Sequence, residues 1–184
     1  MKSLLSSLIR TTILALLLPA GLLTAQNADS PAITTLLQQV KAHASLADRD
    51  AATLTSFLNS RLRWSSHNAQ LEQIKGHVND LIRDSNEMVT LRGEGSPWQQ
   101  EAIDRISFLL PEMAAGLTSA IDHVRENQNR LQFEPYRNYV RNNEILIHTA
   151  SEIISDFVDY GEAKAKSEAL EKQLQLPAGS TAGI

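Results

Sequence analysis

Cysteine is absent from all 184 residues of the chain. Without thiols the protein can form no disulfide, no thiolate metal site and no haem attached through Cys-x-x-Cys-His. A cysteine nucleophile and a lipidated cysteine behind a leader are excluded for the same reason. The folded state must therefore be stabilised by side-chain packing alone.

Glycine, proline and aromatic residues are also scarce. The chain has 8 glycines, 6 prolines and 5% aromatic residues, and segments with the alternating pattern of a strand are nearly absent. Apolar residues instead recur every three to four positions over long stretches, which is the period of an amphipathic helix. The sequence therefore predicts an all-α protein.

The first 25 residues have the plan of a cleavable signal peptide. Lys2 and Arg10 are positive, residues 13–18 form an apolar run, and Ala25 supplies a small residue for cleavage, with Gln26 as the alternative. The run is shorter than the roughly 20 residues that cross a bilayer. We expect export to the periplasm or the medium and no membrane span once the signal is removed. A retained anchor is the alternative.

The charge of the mature chain argues against nucleic acid as a partner. The whole chain carries a formal charge of −4. Removal of the signal peptide takes away two basic residues and no acid, which leaves 15 basic against 21 acidic residues and a charge of −6. Nucleic-acid binding depends largely on basic side chains, so we expect no nucleic-acid partner.

Four helices are predicted between residues 27 and 175, which form one domain. They are similar in length, and the short links favour antiparallel neighbours in an up-down-up-down four-helix bundle. The apolar row of the first helix, from Ile33 to Leu58, has the heptad spacing of a coiled coil. A three-helix core with a detached fourth helix is the alternative, and residues 176–184 are expected to be a disordered tail. The predicted helices span about residues 31–59, 64–92, 97–127 and 135–174.

A glycine-rich stretch, RGEGSPWQQE at residues 92–101, could in principle cradle a phosphate at a helix amino terminus. It lacks the lysine that follows the glycines of a P-loop, and no strand precedes it. Gly93 is a typical helix stop, and Ser96 with Gln99 three residues later has the pattern of a capping box. The stretch is therefore predicted to be a corner between the second and third helices.

Motifs for catalysis or for a bound cofactor are missing. The sequence has no Glu-x-x-His of di-iron bundles, no His-Glu-x-x-His of zincins and no serine within a catalytic motif. We expect no cofactor and no enzymatic activity. The paired acids Asp48 with Asp50 and Asp80 with Asp84 are expected on surfaces that face water.

Two weaker metal candidates involve histidine. His148 lies between Glu144 and Glu152 at i−4 and i+4, so that one helical face offers two carboxylates and an imidazole. A solvated charged face is the alternative there. His67 continues the inward row of the second helix, where a structural role at the end of the core is the alternative.

The remaining histidines, His43, His77 and His123, flank apolar rows and are expected to face water. A noncovalent haem would need an inward histidine and methionine. Met88 and Met113 could serve, but methionines on an apolar row are more often part of a core.

Arginines and aromatic residues collect at one pole of the predicted bundle, where the first and third helices end and the second and fourth begin. Guanidinium groups among aromatic rings can hold an anion by forked hydrogen bonds and by stacking. An anionic ligand or surface is therefore a candidate partner, and ordinary pairing with nearby glutamates is the alternative. This arginine pole comprises Arg61, Arg63, Trp64, Arg125, Arg130, Tyr136, Arg137 and Arg141.

The sequence as a whole predicts an exported, noncatalytic helical bundle that acts by binding or as a structural interaction module. An extracytoplasmic ligand-sensing bundle and a metal-binding or haem-binding bundle are the alternatives. Weak homo-oligomerisation through the alanine-rich end of the fourth helix is a further expectation.

Overall fold

The protein is all-α, as the sequence predicts. The structure, a computed structural model, describes residues 28–175, so the predicted signal peptide and the tail lie outside the described residues. Within that range there are four helices and no strand, consistent with a four-helix bundle. The helices are α1 (Pro31–Phe57), α2 (Trp64–Leu91), α3 (Pro97–Glu126) and α4 (Glu134–Leu174).

Each helix packs on the next one along the chain, and α4 also packs on α1, so that the four helices enclose one hydrophobic core. None of the helices described carries an apolar stretch of the length and hydropathy that a membrane crossing requires. The row predicted for α1 is buried along its whole length, and its middle consists of small side chains that let a neighbouring helix approach. This row comprises Ile33, Leu37, Val40, Ala44, Ala47, Ala51, Leu54 and Leu58.

A buried glutamine joins the starts of α1 and α3. Oε1 of Gln99 accepts hydrogen bonds from the backbone N–H of Ser30 at 2.8 Å and of Ser96 at 3.1 Å. Its Nε2 donates to the carbonyl oxygen of Ser30 and to Oγ1 of Thr34, each at 3.0 Å. The predicted capping box of Ser96 and Gln99 is present. The same side chain therefore caps its own helix and ties the amino end of α1 to it.

The glycine-rich stretch is a corner. After α2 ends, residues 92–94 form a short 3₁₀ turn, and Gly95 is extended before Ser96 caps α3. Nε and Nη2 of Arg92 donate to the two carboxylate oxygens of Asp104 at 2.7 and 2.6 Å. These bonds raise the pKa of Arg92 and lower the pKa of Asp104. The guanidinium thus links the corner to the second turn of α3.

Helix α4 packs against α3 through a glycine. A Cβ atom at Gly161 would lie 2.6 Å from Cη2 of Trp98 and 3.1 Å from its Cζ2. The indole ring is held in place because its Nε1–H donates to Oδ1 of Asp29 at 2.7 Å and its edge packs against the ring of Tyr160. Any larger residue at this position would have to displace an anchored ring.

We expect Gly161→Ala to lower the free energy of unfolding by about 1–3 kcal/mol, because overpacking outweighs the better helix propensity of alanine. Gly76→Ala in α2 is the matched control, since no atom lies within 4 Å of its added Cβ. That variant should raise the free energy of unfolding by about 0.5–1 kcal/mol. Urea denaturation measures both, and equal changes in the two variants would contradict the packing role of Gly161.

Candidate functional site

Five polar side chains meet where α1 faces α2. His43 and Asp50 belong to α1, and His77, Asp80 and Asp84 belong to α2. Asp50 and Asp84 are only 5% and 3% exposed, and the other three are half-buried. We call these five residues the His/Asp cluster.

Imidazole and carboxylate groups of opposite helices face each other in this cluster. Nε2 of His43 lies 3.6 Å from Oδ2 of Asp84, and its Nδ1 lies 3.8 Å from Oδ2 of Asp80. Nε2 of His77 lies 3.3 Å from Oδ2 of Asp50. Three of these atoms are fully buried without a hydrogen-bond partner among the described residues: Nδ1 of His43, Oδ2 of Asp50 and Oδ2 of Asp84.

An arginine lies next to each buried aspartate, and one of the two forms hydrogen bonds to the outer carboxylate oxygens. Nη1 of Arg83 donates to Oδ1 of Asp80 at 2.6 Å, and its Nε donates to Oδ1 of Asp84 at 3.0 Å. The hydrogen bond to Asp84 is the main cause that raises the pKa of Arg83. Arg49 lies farther from its aspartate, with Nε 4.0 Å from Oδ1 of Asp50 and no hydrogen bond. In both pairs the arginine faces Oδ1, and Oδ2 faces the opposite helix.

The cluster is built from a repeated pattern. Residues 43–50 read HASLADRD and residues 77–84 read HVNDLIRD, so His-x5-Arg-Asp occurs once on each helix. A spacing of seven residues is about two helical turns, which places the histidine and the aspartate of each copy on one face. The histidine of each copy faces the aspartate of the other copy. Each copy therefore supplies the histidine of one pair and the aspartate of the other.

A cation between the two helices would compensate the buried carboxylates of the cluster. Removing a carboxylate from water costs several kcal/mol unless other groups replace the lost hydration. Arg83 compensates Oδ1 of Asp84, but the buried Oδ2 atoms of Asp50 and Asp84 face imidazole nitrogens without forming a hydrogen bond. Positive charge at the imidazoles, as a proton on each ring or as a shared metal ion, would complete the site.

The donor set fits a small divalent metal ion. His43, His77 and Asp80 each offer one ligand atom, and these three atoms lie within 4.8 Å of one another, the one such group among residues 28–175. Metal–ligand bonds of about 2.0–2.2 Å put ligand atoms roughly 3–4 Å apart, so that small side-chain shifts would close the site. Imidazole and carboxylate ligands without thiolate suit divalent first-row transition metals.

The two most buried aspartates lie where outer-sphere carboxylates are found in metal sites. Metal-bound histidines usually donate their second ring N–H to a carboxylate, which fixes the tautomer and the orientation of the ring. Asp84 faces Nε2 of His43 while the buried Nδ1 of that ring faces Asp80. Asp50 lies against Nε2 of His77. The cluster therefore offers both ligands and the groups that orient them.

His67, a candidate from the sequence, has a structural environment. Its Nδ1 lies 2.9 Å from the hydroxyl oxygen of Tyr136, and its ring packs edge-on against Phe57 and Tyr136. Burial lowers the pKa of His67 and raises the pKa of Tyr136 well above its ordinary value. A neutral imidazole that closes the end of the core accounts for these contacts.

The other predicted set, Glu144, His148 and Glu152, is only partly brought together. Nδ1 of His148 lies 3.2 and 3.3 Å from the carboxylate oxygens of Asp48, and its Nε2 lies 3.5 Å from Glu152. Glu144 instead accepts a hydrogen bond from Oγ1 of Thr55 at 3.2 Å. The imidazole is exposed and paired with carboxylates on two helices, as in a charged surface network.

Two arginines of the arginine pole already have partners within the chain. Nη1 of Arg137 donates to the carbonyl oxygen of Leu58 at the end of α1, at 2.8 Å, and Nη2 of Arg125 donates to Glu72 at 2.7 Å. The exposed members do not share one cleft. Arg61 lines one cleft and Arg130 lines another. The exposed residues of the pole are Arg61, Arg63, Trp64, Arg125, Arg130 and Arg141.

Tyr136 was expected among the anion-binding residues, and that expectation is wrong because its side chain is fully buried. The expectation that Asp50 and Asp84 face water is also wrong. Both aspartates flank the apolar rows of α1 and α2, and the close approach of these helices covers the flank. The repeated His-x5-Arg-Asp pattern was the signal in the sequence that could have revealed the cluster.

Comparison with protein-family models, with curated proteins and with solved structures finds no match for this chain. The candidate site therefore depends on the geometry of the His/Asp cluster alone.

We expect the pKa of His148 to lie above its ordinary value, chiefly because of the hydrogen bond to Asp48, and Asp48→Asn should lower it toward that ordinary value. The protonated form is favoured on folding, so its contribution to stability is present below the unfolded pKa and is lost as the pH rises through the folded pKa. Proton NMR titration of the ring measures the shift. Glu144→Gln is the control, and an equally large change in that variant would contradict the assignment to Asp48.

Proposed function

We propose that this protein is an exported, noncatalytic helical bundle that binds one divalent first-row transition-metal ion, with Zn²⁺ as the representative, in the His/Asp cluster. His43, His77 and Asp80 supply the ligand atoms. Asp84 and Asp50 orient the two imidazoles, and Arg83 holds the outer carboxylate oxygens of Asp80 and Asp84 in place.

The observation that carries the proposal is the convergence of buried polar atoms that lack a hydrogen-bond partner among residues 28–175. Nδ1 of His43 and Oδ2 of Asp84 and of Asp50 all lie between the same two helices. Buried polar atoms are nearly always paired, so unpaired ones need an explanation. A metal ion supplies that explanation together with the nearby triad of ligand atoms.

Protonated imidazoles are the competing explanation for the cluster. An imidazolium compensates a buried carboxylate well only when its N–H donates at hydrogen-bond distance. The 3.8 Å between Nδ1 of His43 and Asp80 and the 3.6 Å between its Nε2 and Asp84 are too long for that. Nε2 of His77 lies closer to Oδ2 of Asp50, at 3.3 Å, but the two atoms do not form a hydrogen bond. The spacing leaves room for an ion at the ring, which favours the metal.

The antiparallel arrangement of the helices and the cleaved signal peptide are part of the same proposal. His43 near the middle of α1 faces Asp84 late in α2, while Asp50 later in α1 faces His77 earlier in α2. This pairing supports antiparallel packing of α1 and α2, and the short links extend it to an up-down-up-down bundle. The charged start, apolar run and small residue of the first 25 positions support export behind a cleaved signal peptide.

Titration of chelator-treated protein with Zn²⁺ tests the metal site, with calorimetry for the affinity and Co²⁺ absorption for the ligand environment. We expect one ion per chain. His43→Ala or His77→Ala should weaken binding at least about 100-fold, and Asp84→Asn should weaken it about 10- to 100-fold because the ring loses its orienting partner. A metal concentration 100 times the Kd should raise the stability of the parent protein by about 2.7 kcal/mol.

The matched control is His148→Ala, which removes a histidine that also lies beside carboxylates but outside the cluster. That variant should bind Zn²⁺ with unchanged affinity. Absence of binding at millimolar Zn²⁺, or equal losses in His148→Ala and His43→Ala, would overturn the proposed site.

Cleavage of the signal peptide during export leads to a separate prediction. Mass spectrometry of the protein recovered from outside the cytoplasm should show a chain that begins at Gln26 or Asn27, because the small residue Ala25 and its neighbour Gln26 are the expected cleavage positions. An exported chain that still begins at Met1 would show that the segment is retained.

A further inference from the structure

Helix α4 is much longer than the other three. It has 41 residues against 27 to 30 for α1, α2 and α3. Val158 is its last residue buried in the core, and Lys164 makes its last ion pair with another segment, to Asp29 at 2.9 Å. The end of α4 therefore extends past the hydrophobic core.

A row of mostly apolar residues, interrupted by one serine, runs along this extension at heptad spacing. Alternating steps of three and four residues place its members at the a and d positions of two heptads. The large side chains of the row are exposed, with Leu170 at 47% and Leu174 at 63%. The row comprises Tyr160, Ala163, Ser167, Leu170 and Leu174.

After Tyr160, whose ring contacts Trp98, this row faces away from the bundle to which α4 belongs. The residues of α4 that pack inward at the same level are Val158 in the core and Gly161 against Trp98. At 3.6 residues per turn, positions 163, 167 and 170 lie on the opposite side of the helix. The leucines of the row can therefore be covered by another molecule without displacing any core residue.

We propose that a second copy of this chain covers the row, and that the two α4 extensions pair in parallel and in register as a short coiled coil. Such a pair buries Leu170 and Leu174 against their own counterparts across a twofold axis. This inference is independent of the metal site, because the α4 extension contributes no residue to the His/Asp cluster.

The charges beside the row favour the parallel arrangement. Lys166 occupies a g position, and Glu171 occupies the e position five residues later, so a parallel pair brings each lysine opposite the glutamate of the other copy. Neither side chain forms an ion pair or hydrogen bond elsewhere in residues 28–175. At the preceding g and e positions, Asp159 and Lys164 already contact Lys41 and Asp29. The free charges thus begin where the intramolecular contacts end.

Two heptads are enough for association here because the helix is already formed. An isolated segment of about 15 residues has to nucleate its own helix, whereas this one continues a helix that is packed on the core. The buried area is small, so the dimer belongs to the weak class of interfaces. We expect a Kd on the order of 10–100 μM.

Sedimentation equilibrium of the purified protein tests the association. The parent should show a monomer–dimer equilibrium, and Leu170→Lys with Leu174→Lys should raise the Kd at least about tenfold. The matched control places the same two charges on the opposite face, as Ala165→Lys with Ala169→Lys, and should leave the Kd within about twofold. Circular dichroism establishes that both variants fold. A parent that stays monomeric to about 1 mM, or equal effects of the two double variants, would overturn the proposal.

The absence of cysteine allows a direct test of direction and register. Ser167→Cys and Leu174→Cys should each form a disulfide-linked dimer on mild oxidation, because a positions face their counterparts in a parallel pair. Ala169→Cys on the opposite face is the control and should stay largely monomeric. An antiparallel pair could align only one of the two a positions with itself, so failure of either crosslink, or crosslinking of Ala169→Cys at the same rate, contradicts parallel pairing.

Exchanging the charges of Lys166 and Glu171 tests the register of the parallel α4 pair. Lys166→Glu and Glu171→Lys should each raise the Kd several-fold, and the double variant should return it toward the parent value, because the opposed charges are restored. Additive losses in the double variant would show that these residues do not face each other.

Discussion

The carboxylates of Asp50 and Asp84 lie inside the α1/α2 interface, and the free energy lost on their dehydration constrains the structure around them. An arginine directly precedes each aspartate, and Arg83 donates to the outer oxygen of Asp84, while a histidine of the other helix faces the inner oxygen of each aspartate. Sliding α2 along α1 by one turn would separate both histidines from their aspartates. The two buried acids therefore favour this register of the helix pair, and the ligand atoms of the proposed metal site lie beside them.

Much of the fold could be predicted from the sequence because helix formation depends on local signals. The 3.6-residue period gave the α1 row from Ile33 to Leu58, and the Ser96 and Gln99 pattern marked the start of α3. These signals act within a few residues of each other. The period shows which side of a helix is apolar, but it does not show how far a neighbouring helix covers the flanks of that side. Asp50 and Asp84 lie on such flanks, which is why they were expected in water.

The candidate site was harder to predict because its residues come from two helices. The metal set proposed from spacing, Glu144 with His148 and Glu152, lies within one helix, where i±4 spacing alone places side chains together. In the structure Glu144 contacts α1 instead. His43 and His77 are 34 residues apart, and nothing in either segment alone shows that they meet. Whether these two histidines meet depends on the register of α1 against α2, which no local sequence pattern determines.

Gln99 has a consequence for the dynamics of the chain. Terminal turns of helices usually fray and exchange their amide hydrogens quickly, because few bonds hold them. The first turn of α1 begins a few residues after the expected cleavage position, yet Ser30 is held through both its N–H and its carbonyl oxygen by a side chain 69 residues away. The amino end of α1 is thus fastened to the start of α3. A protease that requires a frayed helix terminus would first have to break these bonds.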